Sequence, residues 1–322
     1  MTNWGLLSTA RINEALLRGI AGVPDARALA VASRDPERAR AYAESHGIAR
    51  AHGSYEALLA DDEVEIVYVS LPNGLHVEWT RRALEAGKHV LCEKPLSRSP
   101  AEAEQLFDLA ERRGLRLSEA FMYRHHPQTV RLGELVRGGA VGELRLIRVT
   151  FSFTCDPADP RMRAGLDGGG LMDVGCYPVS MARHLAGEPQ RVSAEQRVGG
   201  DGVDVVMAGT LRFPGEVIAQ FDSGLALPAR RGLEIVGSTA TIRVADPWHP
   251  PADGIELWPA GAQTPEIVPV PAANAYALEV ANLGAAIRGE AEPLLGRADA
   301  VGQARTIAAL YASAQAGAVI SL

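Results

Sequence analysis

The chain has 322 residues, of which 47% are hydrophobic and 22% charged, a composition typical of a globular protein with two domains or one large one. Its formal net charge of −7, with no cluster of lysine and arginine, argues against a general nucleic-acid-binding surface. No apolar run approaches the roughly 18 residues of a membrane span, and no signal peptide is recognisable. We therefore expect a cytoplasmic protein without a membrane partner.

Three cysteines, Cys92, Cys155 and Cys176, lie far apart in the sequence. Their separations do not match the spacing of a metal site. Widely separated cysteines are typical of buried thiols in a reducing compartment. We therefore predict free thiols and no bound metal.

Short apolar strands alternate with helical patterns through the first 120 residues. The strands are predicted at residues 4–7, 28–32, 64–69, 90–92 and 115–117, and the helices at residues 12–19, 36–47, 54–59, 77–86 and 99–113. Alternation at this spacing predicts an α/β domain over residues 1–120 with a parallel, doubly wound sheet.

The pattern changes near Phe121. A helix at 127–137 and an antiparallel strand at 143–154 are followed by a glycine-rich corner and a helix at 171–185. Further strands are predicted at residues 190–198, 203–212, 216–224, 231–237 and 240–245. Short alternating strands predict an α+β domain over residues 121–322, whose antiparallel sheet has one face covered by helices.

The last part of the chain is less regular. Residues 247–271 are predicted to be rich in loops. Two further helical patterns, at 276–288 and 298–314, either cover the antiparallel sheet or return to the first domain.

The first strand-to-helix turn is where a doubly wound sheet binds the pyrophosphate of a dinucleotide. The glycines of a GxGxxG motif are absent, but small Ser8 and Ala10 still allow backbone N–H groups and the helix N-terminus to approach an anion. The alternative is an ordinary strand–turn–helix connection. The residues assigned to this site are Ser8, Thr9, Ala10, Arg11 and Ile12.

The second strand ends at Ser33, followed by Arg34 and Asp35. A carboxylate at this tip favours NAD, whereas an arginine accommodates the 2′-phosphate of NADP. Arg38 adds a second positive charge, and Asp35 is placed to cap the next helix. The segment therefore favours NADP over NAD, with a solvated turn arginine as the alternative for Arg34.

The third and fourth strands carry polar residues to the same edge of the sheet. The third is followed by Leu71, Pro72, Asn73 and His76, which we assign to the cofactor site. Asn73 has an alternative role as the cap of the following helix.

The fourth strand ends in Glu93-Lys94-Pro95. Pro95 fixes φ, and a lysine at the end of an apolar strand can be partly desolvated, which suits it to orient an oxygen or move a proton. We assign Glu93 and Lys94 to the cofactor site. The alternative is an exposed Glu–Lys pair that ends a strand.

Glu119, Arg124, His125 and His126 lie where the first predicted domain passes into the second. We expect one of them to contact a ligand and assign Arg124 to the substrate. The other three are expected to have packing or hydrogen-bonding roles.

The segment from Gly168 to Tyr177 is the second region that carries chemistry. Its three consecutive glycines allow a close approach to another chain segment. Asp173 and Tyr177 are four residues apart, which places them on one face of a helix. A phenol ordinarily titrates near 10, and a nearby ammonium would lower that pKa and make Tyr177 an acid/base. The alternative is that both residues are structural.

Together these motifs resemble the glucose–fructose oxidoreductase/inositol dehydrogenase (Gfo/Idh/MocA) family. The resemblance rests on Glu93-Lys94-Pro95, on Leu71-Pro72-Asn73 with His76, on residues 119–124, and on the glycines followed by Asp173 and Tyr177. The start of the chain and the tyrosine after the aspartate are most similar to the NADP-dependent D-xylose 1-dehydrogenase and dimeric dihydrodiol dehydrogenase branch. Ser8 replaces a glycine that is usual in the family.

The resemblance implies a Rossmann domain that binds NADP(H) and an α+β domain with an open, mostly antiparallel sheet. The exposed face of that sheet would form a homodimer or homotetramer, and a sugar or polyol would be the substrate. Lys94 and Tyr177 would be catalytic, and Asp173 would orient the substrate.

From these residues we predict reversible hydride transfer between a sugar carbinol carbon and nicotinamide. In this hypothesis Tyr177 takes the hydroxyl proton and Lys94 binds the same oxygen, and the reverse assignment is the nearest alternative. Two other functions stay open: a reductase of nucleotide-linked keto sugars, and a non-catalytic NADP-responsive regulator. A hydrolytic branch that uses NAD fits Ser33-Arg34 poorly.

Overall fold

The computed structural model describes residues 1–250 and 254–322, which form two compact units. The first unit comprises Met1–His125 and Asn274–Val301, and the second comprises His126–Ala273 and Gly302–Leu322. Among the described residues, no helix is both long and apolar enough to cross a membrane.

The strands and helices alternate along the first unit and then give way to long strands. The strands are β1 (Thr2–Leu6), β2 (Ala26–Ala32), β3 (Arg50–His52), β4 (Ile66–Val69), β5 (His89–Glu93), β6 (Leu117–Ala120), β7 (Leu144–Thr154), β8 (Arg191–Val198), β9 (Asp204–Arg212), β10 (Ile218–Gly224), β11 (Ala226–Gly237), β12 (Ala240–Val244), β13 (Ile255–Pro259), β14 (Glu266–Val268) and β15 (Ile320–Ser321). The helices are α1 (Asn13–Ala21), α2 (Pro36–His46), α3 (Tyr55–Leu59), α4 (His76–Glu85), α5 (Pro100–Arg112), α6 (Pro127–Arg137), α7 (Cys176–Ala186), α8 (Ala275–Ile287) and α9 (Arg297–Ala316).

The sheet of the first unit is parallel throughout, with strand order β3-β2-β1-β4-β5-β6. This is the Rossmann order, so the predicted doubly wound sheet is confirmed. Trp4, Leu6 and Tyr68 from its strands are fully buried, together with Leu16 of α1 and Leu283 of α8. Each such side chain contributes about 1.5–3 kcal/mol of burial free energy.

The predicted helix cap at Asp35 is confirmed, and Ser54 caps a second helix of the first unit. Asp35 accepts hydrogen bonds from the backbone N–H groups of Glu37 and Arg38, and Ser54 accepts one from Ala57. A side-chain oxygen at this position satisfies N–H groups that have no partner within the helix. These caps fix where α2 and α3 begin.

The sheet of the second unit has nine strands in the order β14-β13-β12-β11-β7-β10-β9-β8-β15. All neighbouring pairs are antiparallel except β7 and β10, which are parallel. The mostly antiparallel sheet is therefore confirmed. The strand predicted at 143–154 corresponds to β7, which is antiparallel to β11 but parallel to β10. Ile147 and Val149 are buried and alternate with polar residues, and α7 packs against β7 and β10.

Some element boundaries differ from the sequence prediction. Strand β6 begins at Leu117 rather than at residue 115, because the N–H of Leu115 bonds to the carbonyl of Ala110 and closes the end of α5. The helix predicted from residue 171 begins with the π-helical turn Leu171–Gly175 and becomes α-helical only in α7.

The segment predicted as loop-rich, residues 247–271, contains β13 and β14, and its residues 251–253 lie outside the described part of the chain. The sequence analysis also missed β3 and β15, which are only three and two residues long. Helix α8 belongs to the first unit, and α9 begins in the first unit and continues in the second.

Candidate active site

The turn after β1 is closed by the side chain of Ser8. Its hydroxyl accepts the N–H of Ala10 at 3.1 Å and lies 2.8 Å from the hydroxyl of Ser70, which follows β4. The carbonyl of Ser8 accepts a hydrogen bond from the amide of Asn13 at 2.7 Å. Ser8 therefore ties the predicted pyrophosphate turn to the neighbouring strand end, a role that a glycine could not fill.

The remaining residues of this turn are more open. Thr9 and Ala10 are partly exposed, and Arg11 and Ile12 are exposed beside the first turn of α1. Exposed backbone at a helix N-terminus is the feature that an anion site requires. The geometry fits a dinucleotide pyrophosphate.

Two guanidinium groups lie at the end of β2. Ser33 is buried, and its hydroxyl accepts the N–H of Asp35, whereas Arg34 and Arg38 are exposed. Among residues 1–250 and 254–322, neither guanidinium has an ion-pair partner, while Arg40 on the same helix pairs with Glu37. Two uncompensated positive charges at this tip fit the 2′-phosphate of NADP.

The turns after β4 and β5 are joined through His76. Its Nδ1 lies 2.8 Å from the carbonyl oxygen of Pro95, and its Nε2 lies 2.8 Å from that of Leu71. The ring has no exposed surface, whereas Pro72 and Asn73 are partly exposed. Asn73 opens the short 3-10 turn Asn73–Leu75, and α4 begins after it.

Lys94 lies at the carboxyl end of β5 and is partly exposed. Its backbone N–H donates to Glu93, and the Lys94–Pro95 peptide bond is cis. The hydroxyl of Tyr68 donates to Oε1 of Glu93. Burial, followed by the charge of Glu93, raises the pKa of the fully buried Glu279 well above its usual range. The carboxylate of Glu93 is therefore fixed by a hydrogen bond from the buried phenol of Tyr68.

Arg124, His125 and His126 lie where the first unit ends and the second begins along the chain. The guanidinium of Arg124 is buried and lies 3.4 Å from the carboxylate of Asp299. Burial lowers the pKa of His125 to about 4, so this ring is neutral at physiological pH. His126, in the second unit, accepts the N–H of Gln128 and caps α6. The assignment of Arg124 to the substrate stays a prediction.

In the second unit, the three glycines allow a close approach between chain segments, as predicted. A Cβ on Gly168 would lie 2.3 Å from the carbonyl oxygen of Arg161, and one on Gly169 would lie 2.2 Å from Oδ1 of Asp204. Gly169 also has φ = +123°, a conformation that side chains rarely adopt. Asp204 accepts the N–H of Leu171 at 2.7 Å and so fixes the start of the π-helical turn.

Asp173 lies in the π-helical turn beside Arg161. The guanidinium of Arg161 donates two hydrogen bonds of 2.8 Å to Asp159 and lies 3.5 Å from Oδ2 of Asp173. It also rests on the ring of Phe153, at 5.3 Å from the centroid. The bonds to Asp159 raise the pKa of Arg161 above its ordinary value.

Tyr177, in the first turn of α7, is only partly exposed because two aromatic rings surround it. The centroid of its ring lies 5.3 Å from that of Phe151 and 5.4 Å from that of Trp248, both edge-to-face. Edge-to-face packing is a favoured geometry of aromatic pairs and restricts the ring. The phenol is therefore carried by a fixed ring.

The structure joins the predicted residues of the first unit directly, through the Ser8–Ser70 contact and the Leu71–His76–Pro95 bridge. Asp173 and Tyr177 form a separate group in the second unit. Sequence reasoning missed the supporting residues, which are Ser70, Tyr68, Phe151, Arg161, Asp204 and Trp248. Most of them are distant in sequence from the group they support, and Arg161 lies in an irregular loop. Neither situation leaves a local pattern that sequence reasoning could use. The three cysteines are buried and free.

Comparison with known families gives two matches along the chain. Residues 4–121 match an oxidoreductase family with an NAD-binding Rossmann fold, and residues 129–243 match the Gfo/Idh/MocA C-terminal domain. The two matches cover most of the two units and agree with the resemblance found in the motifs.

Individual relatives match over nearly the whole length. An NADP-dependent D-xylose 1-dehydrogenase from Haloferax volcanii is 39% identical over 323 residues, 99% of either chain. A solved 3-ketoreductase from Actinomadura kijaniata, in complex with NADP and TDP-benzene, has a TM-score of 0.90 and 33% identity and covers 97% of both chains. A solved aldose–aldose oxidoreductase from Caulobacter crescentus, with glycerol, has a TM-score of 0.89 and 29% identity, covering 100% of this chain and 99% of that one.

Proposed function

Because the chain belongs to the Gfo/Idh/MocA family of NAD(P)-dependent oxidoreductases, we propose that it transfers a hydride between NADP and a carbinol or carbonyl carbon of a sugar. The observation that carries this proposal is a set of hydrogen bonds at the carboxyl ends of the Rossmann strands. Ser8 is hydrogen-bonded to Ser70, and His76 is hydrogen-bonded to the turn that bears Lys94. These strand ends are where a doubly wound sheet binds its cofactor. The first domain binds NADP, and the second binds the substrate.

The choice of cofactor rests on the end of β2. Arg34 and Arg38 offer two exposed guanidinium groups where NAD enzymes place a carboxylate. Similar proteins agree: one is an NADP-dependent D-xylose dehydrogenase, and one solved relative holds NADP. When bound, NADP supplies the hydride acceptor, and the side chains supply position and proton transfer.

We assign the acid/base chemistry to Lys94 and Tyr177. Tyr177 takes the substrate hydroxyl proton, Lys94 binds the same oxygen, and Asp173 orients the sugar. Support comes from the half-exposed position of Lys94 at a strand end and from the fixed ring of Tyr177. The reverse assignment, with Lys94 as proton acceptor, uses the same residues.

An uncharged sugar or polyol is the favoured substrate class, because the sequence match to the D-xylose 1-dehydrogenase extends over 99% of this chain, whereas the matches to two dTDP-keto-sugar 3-reductases, each 40% identical, extend over 74% and 69% of it. The second candidate is a nucleotide-linked keto sugar, which the similarity to the 3-ketoreductase favours. We further propose a cytoplasmic homodimer or homotetramer, formed through the exposed face of the nine-stranded sheet. That face contains a groove of about 1010 Å³.

The experiment that tests the function is an absorbance screen for NADPH formation with aldoses, polyols and anhydrosugars. NADPH oxidation with keto sugars tests the second candidate. With an active substrate in hand, Lys94→Ala and Tyr177→Phe should each lower kcat by about 10²–10⁴-fold, the usual contribution of an acid or base. Tyr55→Phe, at a tyrosine of α3 whose ring packs edge-to-face on Trp79, is the matched control.

Lys94→Arg separates the two assignments. Arginine keeps the positive charge but cannot release a proton, so it should retain part of the activity if Lys94 only binds the oxygen. Loss of activity equal to that of Lys94→Ala would instead identify Lys94 as the proton acceptor. Less than about tenfold loss in both Lys94→Ala and Tyr177→Phe would refute the pair.

The cofactor assignment has its own test. Replacing Arg34 and Arg38 together by alanine should raise KM for NADP by about 10–100-fold and leave KM for NAD nearly unchanged, because two charge-assisted contacts are lost. Arg40→Ala on the same helix is the control, since that guanidinium is already paired with Glu37. An equal change for both cofactors would contradict recognition of the 2′-phosphate.

A further inference from the structure

The residues that follow Lys94 are held from both neighbouring strands. Beyond β4, Nδ1 of His76 lies 2.8 Å from the carbonyl oxygen of Pro95. On β6, Oε1 of Glu119 accepts the backbone N–H of Leu96 at 2.8 Å. Because the strand order is β4-β5-β6, these contacts reach the turn after β5 from opposite sides.

Both side chains lie inside the first unit. His76 has 0% and Glu119 has 1% of its surface exposed, so neither offers its polar atoms to solvent. The second ring nitrogen of His76 lies 2.8 Å from the carbonyl oxygen of Leu71, so a hydrogen on either nitrogen has an acceptor. A buried polar group is costly unless it is bonded, which makes these contacts persistent.

We propose that His76 and Glu119 are positioning residues, a clamp that fixes the Lys94 turn without touching substrate or cofactor. For His76 this role replaces the cofactor contact predicted from the sequence. The catalytic part of the proposal rests on the proposed function of Lys94, whereas the structural part does not. A lysine side chain has many rotamers. The position of its ammonium group is therefore well defined only if the backbone that carries it is fixed. A displacement of about 1 Å at a reacting group can cost 10²-fold in rate.

The structural part is tested by hydrogen–deuterium exchange of the full chain, read at the amide of Leu96. Glu119→Ala removes the acceptor of that N–H, so exchange at Leu96 should become at least tenfold faster. Glu119→Gln keeps a carbonyl oxygen at the same reach, and its exchange should match that of the wild type. Glu111→Ala, at an exposed residue of α5, is the control.

The catalytic part is tested by kinetics at a temperature where every variant is folded. Glu119→Ala and His76→Leu should lower kcat by about 10–100-fold with little change in KM, because they displace a catalytic group rather than a binding surface. Glu119→Gln should keep kcat within about threefold of wild type. His46→Leu, an exposed histidine of α2, is the control for His76.

The outcomes separate the two proposals. Unchanged Leu96 exchange in Glu119→Ala would overturn the clamp, as would an unchanged kcat in both disruptive variants. If the wild type turns over no sugar with NADP, the proposed function fails, and exchange at Leu96 still decides whether the contact holds the turn. Should Glu119→Ala not fold, Glu119→Asp shortens the side chain at constant charge and is read by the same exchange measurement.

Discussion

Asp204 is the residue whose loss should most disturb the second unit. Its buried carboxylate at the start of β9 accepts two hydrogen bonds of 2.7 Å, one from the N–H of Leu171 and one from the hydroxyl of Tyr311 on α9. These bonds join the glycine corner, the sheet and the C-terminal helix. Asp204→Ala would break both and leave two buried donors without their acceptor.

The magnitude follows from the number and kind of bonds. A hydrogen bond to a charged group contributes about 1.5–3 kcal/mol, so Asp204→Ala should cost about 3–6 kcal/mol of unfolding free energy. Tyr311→Phe removes one of the bonds and should cost about 1.5–3 kcal/mol. At roughly 2–4 °C per kcal/mol, Asp204→Ala should lower Tm by roughly 6–24 °C.

Urea denaturation and calorimetry of the single and double variants measure these values. Because the two residues share a bond, Tyr311→Phe should cost much less when Asp204 is already alanine. Asp201→Ala is the control, since its carboxylate is exposed and accepts a hydrogen bond from the N–H of Ala164. A loss below about 1 kcal/mol for Asp204→Ala, or additive costs in the double variant, would refute the anchoring role.

Two titratable groups whose pKa values are shifted by burial make stability depend on pH in opposite directions. Burial lowers the pKa of His125 to about 4. Between about pH 6.5 and 4 the ring therefore binds a proton in the unfolded chain but not in the folded chain. Titration of His125 therefore leaves the free energy of unfolding unchanged above about pH 6.5 and lowers it by about 3 kcal/mol as the pH falls to 4. His125→Gln should flatten this pH dependence, which urea titrations measure. Burial raises the pKa of Glu279, so this carboxyl group takes up a proton when the chain folds. The free energy of unfolding therefore decreases as the pH rises above the ordinary pKa of a glutamate. Glu279→Gln should therefore raise the unfolding free energy at pH 8 and have little effect near pH 4, and equal effects at both pH values would contradict the raised pKa.

The fold of the first unit could be predicted because each of its elements is marked by its own residues. Apolar runs identify the strands, and Asp35 and Ser54 occur where helices begin. The boundary of β6 was missed because Leu115 has the apolar character of a strand residue but closes the end of α5 through its N–H. Composition alone cannot tell these two uses of a leucine apart.

The site could be predicted only in part, since its supporting contacts join residues that are distant in sequence. The sequence identifies Lys94, Asp173 and Tyr177 as chemically useful, but nothing near Tyr177 indicates that Trp248 will pack against its ring. The π-helical turn at Asp173 was also unpredictable, because its residues have the pattern of an α-helix. Local patterns thus give the candidate residues, and tertiary packing gives the orientation of their side chains.

The choice of cation along the chain bears on the role of Lys94. Lysine and arginine together number 32, yet lysine occurs only at positions 88 and 94. Lys88 is buried, donates to the carbonyl oxygens of Asp61 and Val64, and has its pKa lowered by burial, a setting that suits a compact ammonium better than a planar guanidinium. Lys94 is instead partly exposed at the carboxyl end of β5. An arginine at this position could not release its proton, so the use of lysine favours the reverse assignment, in which Lys94 is the proton acceptor, and Lys94→Arg tests that assignment.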